Sequence, residues 1–460
     1  MEDAIFFYNP WWTERKVPPY MLKEFKRDIL YKLEKYLKLN RILVLKGPRR
    51  VGKTTVLYQM LNSLLEEKTK PENVLYLSFD DPKLRVDLDK IIDFYQTKIL
   101  KGSVSDSGII YIFLDEVQYL ENWQYYVKKY YDRNYPIKFI ISGSSATLIR
   151  KGAESLMGRT VEEIMLPFSF KEFLEYNTKE RINILPIDPP DLLFAKKYET
   201  KAKIFFEKYL LRGGYPNIFD IEETGLWQKL IKEDIIDKAI YRDIASSHDI
   251  KKPELLEKLL YYTAGITGQI LNISNISNSI GLSREYINTY LHYLKSAFIV
   301  FTLRKYAKSI EKTVRSNEKV FLLDSGLINA LLNKTKIDDM FAGRLVEGIV
   351  LTHLAKYEIY YWKNHTEVDF IIKKGNEIMP IEVKYQNEIT GGDLKGLVKF
   401  MENYGAERGL VVTKDLLDRK TVDGRVVLFV PAWLFLLSEM CEDLSSKVMG
   451  YEFYCAGKTV

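Results

Sequence analysis

The feature that most constrains the fold is a glycine-bounded loop between an apolar strand pattern and a helical pattern. Residues Gly47-Pro-Arg-Arg-Val-Gly-Lys-Thr54 match the phosphate-binding pattern GxxxxGK[ST] in full. Ile42–Leu45 predicts a short buried strand before the loop, and the residues that follow predict a helix to about Glu67. In this context, backbone N–H groups and a helix N-terminus bind phosphate oxygens. The sequence therefore predicts a nucleotide-binding α/β domain.

The loop supplies a set of candidate nucleotide ligands. They are Gly47, Pro48, Arg49, Arg50, Val51, Gly52, Lys53, Thr54 and Thr55. We expect Lys53 to reach the β and γ phosphates and the Thr54 hydroxyl to bind Mg²⁺. The predicted cofactors are therefore a nucleoside triphosphate and Mg²⁺.

Two carboxylates follow another apolar strand pattern, Ile109–Leu114. In a parallel sheet buried on both faces, this strand ends at the same edge as the phosphate loop. Asp115 is therefore expected to hold the water shell of the Mg²⁺ ion. Glu116 is expected to act as the general base that polarises an attacking water molecule.

Three further residues are candidates for catalytic roles at the phosphates. The strand that begins at about Phe139 ends in hydroxyl side chains, and either Ser142 or Ser144 is predicted to sense the γ-phosphate. Arg159 is a candidate stabiliser of transition-state charge, either within its own chain or from a neighbouring subunit. The sequence does not decide between these alternatives.

A carboxylate–lysine pattern lies in the C-terminal third. Asp369 lies in or at the end of one predicted strand, and Glu382 follows thirteen residues later on the next. Glu382 and Lys384 share a strand face, and Glu347 on the preceding helix adds a third carboxylate. Converging carboxylates bind Mg²⁺ or Mn²⁺, and Lys384 would orient or deprotonate water for phosphodiester hydrolysis. The alternative is a charged strand face that makes cross-strand salt bridges.

A basic segment carries the excess charge of the chain. The whole chain holds 68 Lys and Arg against 62 Asp and Glu, a net charge of +6. Residues 251–320 hold eleven basic and five acidic residues, which is also +6. The predicted order of helix, helix, turn, helix and strand there is that of a winged helix-turn-helix, which either binds nucleic acid or only packs domains together. Its candidate nucleic-acid contacts are Arg284, Tyr286, Asn288, Arg304, Lys305 and Lys308.

Five stretches resemble a family of AAA-like P-loop ATPases that is common in archaea and bacteria. They are Lys46–Thr55, Leu114–Gln124, Ile141–Ser145, Leu166–Phe173 and Arg212–Pro216. The resemblance covers about residues 20–425. It implies ATP binding, and it implies a winged helix and a C-terminal domain of unknown function similar to PD-(D/E)xK nucleases. Val368 stands where those nucleases have a proline before the aspartate.

The predicted fold class is α/β, with a P-loop NTPase parallel sheet, a helical lid, a winged helix-turn-helix and a C-terminal α/β nuclease-like domain. The predicted limits are 1–166 for the ATPase domain with its N-terminal helix, 167–250 for the lid, 251–325 for the winged helix and 326–460 for the nuclease-like domain and C-terminal tail. The N-terminal helix is expected from about Tyr20 to Leu39, where apolar residues recur at helical spacing.

Composition excludes several classes of protein. Cys441 and Cys455 are the only cysteines, which excludes a disulfide framework and a zinc ribbon. The N-terminus lacks a signal-peptide pattern. The longest apolar run, Val426–Leu437, is shorter than the roughly 20 residues that cross a bilayer. We therefore expect a cytoplasmic protein that does not enter a membrane.

The favoured hypothesis is an ATPase whose winged helix binds DNA and whose C-terminal module cuts or grips it. The alternative is a nucleotide-dependent switch or scaffold that acts on protein partners, with an inactive nuclease-like module. A chaperone-like remodeller is a third hypothesis. The sequence does not predict the oligomeric state.

Overall fold

A parallel sheet of five strands forms the centre of the N-terminal part. The computed structural model describes residues 1–144, 156–183, 185–187, 192–245, 248 and 250–439. The strands are β1 (Ile42–Lys46), β2 (Val74–Ser78), β3 (Ile110–Asp115), β4 (Ile137–Gly143) and β5 (Thr160–Ile164). Neighbouring strands run parallel in the order β2-β3-β4-β1-β5. The carboxyl ends of β1 and β3 therefore meet at one edge of the sheet.

Helices cover both faces of this sheet. They are α1 (Glu2–Tyr8), α2 (Trp11–Glu14), α3 (Asp28–Tyr36), α4 (Lys53–Glu66), α5 (Leu88–Phe94) and α6 (Trp123–Asp132). Leu43 and Leu45 of β1 pack into the apolar cluster that contains α4, whereas Ile42 and Val44 pack into the cluster that contains α5 and α6. This alternation follows from the two-residue period of a strand. Burial on both faces explains why β1 is a continuous apolar run in the sequence.

The predicted N-terminal helix is wrong in its first half. Helix α3 begins only at Asp28, and residues 22–27 are not helical. Arg27 holds this segment, because its guanidinium pairs with Glu172 and donates to backbone carbonyls of the phosphate loop and of the chain after β5. Both partners of the ion pair are buried. The side-chain anchor outweighs the helical spacing of the apolar residues, and the segment becomes a wall of the cavity described below.

A helical segment follows the first sheet, and we call it the lid. It comprises α7 (Phe170–Thr178), α8 (Leu192–Arg212), α9 (Thr224–Ile231) and a π-helical stretch, Lys232–Ala245. Helix α7 begins with a reciprocal cap, because Ser169 accepts the N–H of Glu172 while the Glu172 carboxylate accepts the N–H of Ser169. The same carboxylate pairs with Arg27, so the lid is tied to the segment before α3.

Three helices and a small antiparallel sheet occupy residues 253–322. The helices are α10 (Pro253–Gly265), α11 (Ile273–Ile280) and α12 (Arg284–Ser296), with a short α13 (Ile310–Val314) before the last strand. The strands are β7 (Gln269–Ile270), β8 (Val300–Leu303) and β9 (Lys319–Leu322), in the order β7-β9-β8. Ser283 caps α12, because its hydroxyl accepts the N–H of Tyr286. The sequence predicted the helices and β8, but not β7 and β9.

The C-terminal part contains a second sheet, of six strands. Its helices are α14 (Ser325–Leu331), α15 (Asp339–Leu354), α16 (Lys395–Tyr404) and α17 (Ala432–Phe435). Its strands are β10 (Glu358–Lys363), β11 (Glu367–Lys374), β12 (Glu377–Lys384), β13 (Arg408–Thr413), β14 (Asp418–Val422) and β15 (Arg425–Pro431), in the order β10-β11-β12-β13-β15-β14. Strands β10, β11 and β12 are antiparallel, whereas β12, β13 and β15 are parallel. The mixed sheet is consistent with the predicted α/β class.

The described chain ends by returning to the lid. Strand β16 (Ser438–Glu439) pairs in parallel with β6 (Leu185–Pro186) of the lid. The apolar run Val426–Leu437 is largely strand β15 and helix α17, and most of it is buried in the core. In the described parts of residues 1–439, no helix combines the length and apolar character needed to cross a bilayer. Cys441 and Cys455 lie outside the described residues.

A close-packed joint connects the lid to helix α14. The Gly214 N–H donates to Asp324 Oδ2 at 2.7 Å, and the Gly214 carbonyl accepts the N–H of Phe168 at 2.7 Å. Asp324 also caps α14 by accepting the N–H of Leu327. Burial raises the pKa of Asp324 to about 6, although these backbone donors favour its charged form. The joint leaves no room for a larger residue at Gly214.

Replacing Gly214 by alanine should destabilise the protein. The new Cβ would lie 2.2 Å from the carbonyl oxygen of Phe168, which the Tyr209 hydroxyl also holds. Overpacking of this kind costs about 1–3 kcal/mol, which should lower the thermal unfolding temperature by roughly 4 °C or more. Gly225→Ala is the matched control, since its Cβ would meet nothing nearer than 3.8 Å in an exposed helix and should be neutral or stabilising. Equal melting curves for the two variants would contradict the tight joint.

Candidate nucleotide site and carboxylate cluster

A cavity opens at the carboxyl edge of the first sheet, beside the loop 47–55. Its volume is about 1040 Å³, near the upper end of the roughly 300–1,000 Å³ typical of ligand pockets. The loop residues that line it are Arg49, Arg50, Val51, Gly52, Lys53, Thr54 and Thr55. Asp115 and Glu116 line the same cavity. The structure therefore brings together the loop and the acidic pair that lie more than sixty residues apart in the chain.

Gly47 and Pro48 form the base of the loop rather than the cavity wall. A Cβ on Gly47 would lie 2.1 Å from the Met165 carbonyl oxygen, and its φ of +152° also favours glycine. The Lys53 ammonium donates to the carbonyls of Gly47 and Pro48 at 3.0 and 2.9 Å. Lys53 is buried, and burial lowers its pKa. A lysine ammonium thus lies at the phosphate end of the cavity, at the start of α4.

Asp115 is the centre of a hydroxyl network. Its Oδ2 accepts the Thr54 hydroxyl at 2.6 Å and the Tyr76 hydroxyl at 2.7 Å, and its Oδ1 accepts the Ser142 hydroxyl. Asp115 is buried, so these donors replace water around the carboxylate. Burial and the charge of Asp115 raise the pKa of Tyr76, which keeps the phenol a donor. The Thr54–Asp115 pair fits the hydroxyl and carboxylate that hold Mg²⁺ in P-loop proteins.

Glu116 lies beside Asp115 on a sharp turn. Its φ is +51°, which turns the chain away from the strand direction immediately after β3. The side-chain amide of Gln118 donates to its carboxylate. Burial raises the pKa of Glu116, although the charge of Lys53 opposes the shift. A carboxylate whose pKa is shifted towards neutrality is suited to proton transfer near pH 7.

The two arginines of the loop contact the lid. The Arg49 guanidinium pairs with Asp243 and donates to the Tyr119 hydroxyl at 2.7 Å. Burial lowers the pKa of Arg49, but the Asp243 carboxylate outweighs this and raises it overall. Arg50 pairs with Asp234 at 3.2 Å. In this structure the loop is therefore bridged to the π-helical stretch of the lid by two ion pairs.

The structure separates the remaining predicted catalytic residues. Ser142 contacts Asp115, and Ser144 is buried at the end of β4. Arg159 lies at the opposite end of the sheet, because its carbonyl accepts the N–H of Ile42 at the start of β1. Five strand residues separate Ile42 from the loop, which is roughly 16 Å. A role for Arg159 at the phosphates of its own chain is therefore wrong, and its guanidinium pairs with Asp132; a role from a neighbouring subunit stays a prediction.

The sequence analysis did not identify the far wall of the cavity. Phe25, Phe168, Tyr176 and Asn217 form part of it. The rings of Phe25 and Phe168 stack with centroids 5.2 Å apart. Among the described residues, the side-chain oxygen of Asn217 is buried without a hydrogen-bond partner. These residues come from the segment before α3 and from the lid, so no local motif could have grouped them.

The carboxylate–lysine residues come together on the second sheet. Strands β11 and β12 form the expected hairpin, whose register pairs Phe370 with Ile381 and thus places Asp369 beside Glu382. The Lys384 ammonium lies 2.7 Å from Glu382 Oε1, which confirms that these two side chains share a face. Burial and the charge of Asp369 raise the pKa of Glu382 to about 8. Glu347 is close enough for these charges to raise its pKa further.

Lys319 belongs to this cluster, and the sequence analysis did not identify it. Its ammonium pairs with Glu367 and lies 3.3 Å from Asp369 Oδ1. Within the described residues, no group of three or more His, Cys, Asp or Glu side chains has the arrangement needed to hold a metal ion. The cluster in this structure is therefore a network of carboxylates and lysines.

The predicted nucleic-acid contacts divide into two groups. Arg284, Tyr286 and Asn288 lie on the exposed face of α12, whose opposite face is buried. The segment that carries Arg304, Lys305 and Lys308 lies against the second sheet instead. There the Lys308 ammonium is 5.3 Å from the ring centroid of Tyr404, and Arg304 lies 3.6 Å from Glu318. Helix α12 is thus the more accessible of the two surfaces.

Three family models match successive parts of the chain. A model described as AAA domain matches residues 39–174. Two models described as domains of unknown function, DUF8612 and DUF4143, match residues 204–338 and 342–434. The sheet, the phosphate loop and the first match agree, so residues 39–174 form an AAA-type P-loop domain. The second match crosses the predicted limit at residue 250, and the predicted domain limits stay a prediction.

Curated relatives cover most of the chain. A protein of Haemophilus influenzae is 28% identical over 418 residues, covering 89% of this chain and 98% of the relative. A protein of Methanocaldococcus jannaschii is 28% identical over 441 residues, covering 90% and 92%. A protein of Mycobacterium tuberculosis is 26% identical over 377 residues, covering 78% and 74%. Each is named an uncharacterized protein, so they show a shared chain length and organisation but no activity.

Two solved structures illustrate the level of similarity in that comparison. A mutant of RuvB from Thermotoga maritima is 14% identical, with 64% of this chain and 88% of that chain covered and a TM-score of 0.29. Caenorhabditis elegans PCH-2 is 14% identical, with 34% and 48% covered and a TM-score of 0.25. Similarity of this size is too low to transfer any property of those proteins.

Proposed function

We propose that this chain binds and hydrolyses ATP in the cavity at the loop 47–55 and couples this cycle to DNA. The proposal depends on one observation, the arrangement of Lys53, Asp115 and Glu116 around a single cavity. The three groups supply a cation for phosphate, a carboxylate bonded to the Thr54 hydroxyl, and a second carboxylate suited to proton transfer. The AAA-type domain supports the same assignment.

The loop would bind the phosphates through its N–H groups and the Lys53 ammonium. Thr54 and Asp115 would hold Mg²⁺, which neutralises charge on the phosphate oxygens. Lys53 now donates to two carbonyls of its own loop, and it would exchange these weak partners for phosphate oxygens. Because the ammonium is buried, its attraction for phosphate is less screened by water than that of a surface lysine.

Glu116 would act as the general base for hydrolysis. Its carboxylate lines the cavity next to Asp115 and can accept a proton from the attacking water. Gln118 restrains the Glu116 side chain through its amide. Ser142 and Ser144 stay candidates for the γ-phosphate sensor, and the hydroxyl of Ser142 already has Asp115 as a partner.

The lid would respond to nucleotide through the loop arginines. Arg49 and Arg50 are paired with Asp243 and Asp234. Phosphate oxygens compete with carboxylates for guanidinium groups. Binding of a triphosphate would therefore weaken these two bridges and change the angle between lid and sheet.

The far wall of the cavity favours adenine as the base. The stacked rings of Phe25 and Phe168 offer an apolar surface to a planar base. A buried oxygen without a donor is costly, and the exocyclic amino group of adenine would supply a donor to Asn217. Guanine would present an acceptor at the corresponding ring position, so ATP fits this wall better than GTP.

The DNA part of the proposal rests on residues 253–322. The order helix, strand, helix, helix, strand, strand, closed by the sheet β7-β9-β8, is that of a winged helix. Helix α12 occupies the position of a recognition helix and exposes Arg284, Tyr286 and Asn288. The net charge of +6 over residues 251–320 would attract phosphate.

Replacing Arg284 by alanine should weaken binding to duplex DNA about tenfold. Loss of one phosphate or base contact costs roughly 1–3 kcal/mol and lowers the slope of log K against log salt by about one. Fluorescence anisotropy of a labelled duplex over a salt series measures both quantities. Arg133→Ala removes an exposed arginine from the ATPase domain and should change neither. If neither protein binds DNA at low salt, the DNA hypothesis fails.

A second candidate function is a nucleotide-dependent switch or scaffold for protein partners, with an inactive nuclease-like module. The observation that favours it is the carboxylate cluster, in which Lys319 pairs with Glu367 and Asp369. Under this alternative, ATP turnover remains but DNA binding and metal-dependent cleavage are both absent. A cleavage assay with Mg²⁺ or Mn²⁺, compared with Glu382→Ala and Lys384→Ala, separates the two candidates.

A further inference from the structure

The carboxylate cluster on the second sheet is closed by a lysine from a different part of the chain. Lys319 is the first residue of β9, fifty residues before Asp369, and only 2% of it is exposed. Asp369 and Glu382 are 7% and 5% exposed. Neither a metal ion nor a DNA phosphate can reach these carboxylates while β9 stays in place.

The oxygen atoms that a metal would need are unevenly occupied. Asp369 Oδ1 lies 3.3 Å from the Lys319 ammonium, and Asp369 Oδ2 accepts the Val383 N–H at 2.9 Å. Glu382 Oε1 is bonded to Lys384, whereas Glu382 Oε2 is buried without a partner among the described residues. A buried carboxylate oxygen without a partner is costly, so it points to a missing cation. The oxygen beside it is already taken by an ammonium.

The segment that carries Lys319 is anchored at several points. The Tyr306 N–H donates to the Tyr361 carbonyl at 2.6 Å, and the Tyr361 N–H donates to the Arg304 carbonyl at 3.0 Å. The Tyr361 hydroxyl donates to the Asn317 carbonyl at 2.6 Å. On the other side, Glu347 reaches β7, because a Cβ on Gly268 would lie 3.1 Å from its Oε2. The small sheet β7-β9-β8 is thus a cover over the cluster.

We propose that Lys319 is a built-in cation that takes the metal position of the Glu347–Asp369–Glu382 cluster and keeps it closed until residues 304–319 withdraw. The inference rests on the proposed metal-binding role of these carboxylates. One ammonium can pair with Asp369 but cannot coordinate six oxygens at the 2.0–2.6 Å distances of a divalent cation. The cluster is therefore a latent site, and its opening requires movement of the cover.

The cover is mechanically connected to the lid. Strand β9 leads directly into α14, whose capping residue Asp324 accepts the Gly214 N–H of the lid. Five residues separate Lys319 from this bond. A change in lid angle would therefore act on the strand that holds Lys319, which offers a physical route from the nucleotide cavity to the cluster.

Titration calorimetry with Mn²⁺ in the absence of nucleotide tests the proposal. Lys319→Met keeps the length of the side chain but removes its charge, and it should bind one Mn²⁺ per chain at least tenfold more tightly than the wild type. The double variant Lys319→Met/Asp369→Asn should lose this binding, which assigns it to the cluster. Lys312→Met removes an exposed lysine from the same segment and should behave like the wild type.

Three outcomes would overturn the inference. They are equal Mn²⁺ affinity in wild type and Lys319→Met, binding that survives Asp369→Asn, and a folded Lys319→Met chain that binds no Mn²⁺. If Lys319→Met unfolds in EDTA, Mn²⁺ should restore its melting transition, and failure to do so would make Lys319 a purely structural ion-pair partner. Mn²⁺ binding by Lys319→Met without DNA cleavage would reject the nuclease part of the proposed function but retain the latent site.

Discussion

Lys53→Ala should reduce ATP turnover at least 100-fold, to the background of a phosphate-release assay. The ammonium is the one lysine charge that the structure places at the base of the loop, bonded to the carbonyls of Gly47 and Pro48. Its loss removes a charge-assisted contact to the β and γ phosphates, where negative charge changes most during the reaction. A 100-fold loss corresponds to about 2.7 kcal/mol of transition-state stabilisation.

Lys46→Ala is the matched control for this experiment. Lys46 is also a lysine beside the loop, but its ammonium pairs with Glu162 and it does not line the cavity. We expect its turnover to stay within about twofold of the wild type, since an exposed ion pair contributes about 0–1 kcal/mol. Turnover in Lys53→Ala above a tenth of the wild-type rate would assign the activity to another site or to a contaminant.

Glu116→Gln should separate ATP binding from hydrolysis. Glutamine keeps the size of the side chain and its contact with Gln118 but cannot accept a proton from water. General-base catalysis contributes roughly 10²–10⁴-fold, so we expect turnover to fall by at least 100-fold while ATP still binds. Titration with ATP and single-turnover hydrolysis measure the two effects on the same protein.

Glu162→Gln provides the comparison for Glu116→Gln. Glu162 lies on β5 and pairs with Lys46, outside the cavity. The variant loses one carboxylate near the loop but should hydrolyse ATP at the wild-type rate. If Glu116→Gln also hydrolyses ATP normally, Glu116 is not the base, and a different carboxylate or an ordered water network must take its place.

The phosphate loop and the acidic pair could be predicted because their information is local. A loop between a strand and a helix carries its own signature, and Asp115 and Glu116 follow directly from an apolar strand. Parallel strands then bring both to one sheet edge without further information. The hairpin of β11 and β12 was predictable for the same reason, since its register follows from two short adjacent strands.

The residues that sequence analysis missed or misplaced all depend on contacts between distant segments. Tyr76 reaches Asp115 from a neighbouring strand, and Asn217 reaches the cavity from the lid. Arg159 was a candidate in its own chain because its distance along the sheet depends on the register of β5. The first half of the N-terminal helix failed because Arg27 found a buried partner 145 residues away. Periodicity and motif spacing carry none of this information.

Lys319 shows how one such contact changes a functional interpretation. From the sequence it is one basic residue among eleven in the segment 251–320, and it was counted only as part of a net charge. In the structure it is buried beside Asp369. The same carboxylates that suggest a metal site are therefore held in a closed arrangement, and the two hypotheses for the C-terminal module make different predictions about Lys319.

Direct titration of the wild-type protein with ATP and Mg²⁺ is the measurement that tests the central claim, the presence of a triphosphate site between the first sheet and the lid. Isothermal titration calorimetry should detect one ATP per chain with micromolar affinity, and GTP should bind at least tenfold more weakly. Absence of any binding heat at millimolar ATP, or saturation by GTP at the same concentration as ATP, would contradict the account given for this cavity.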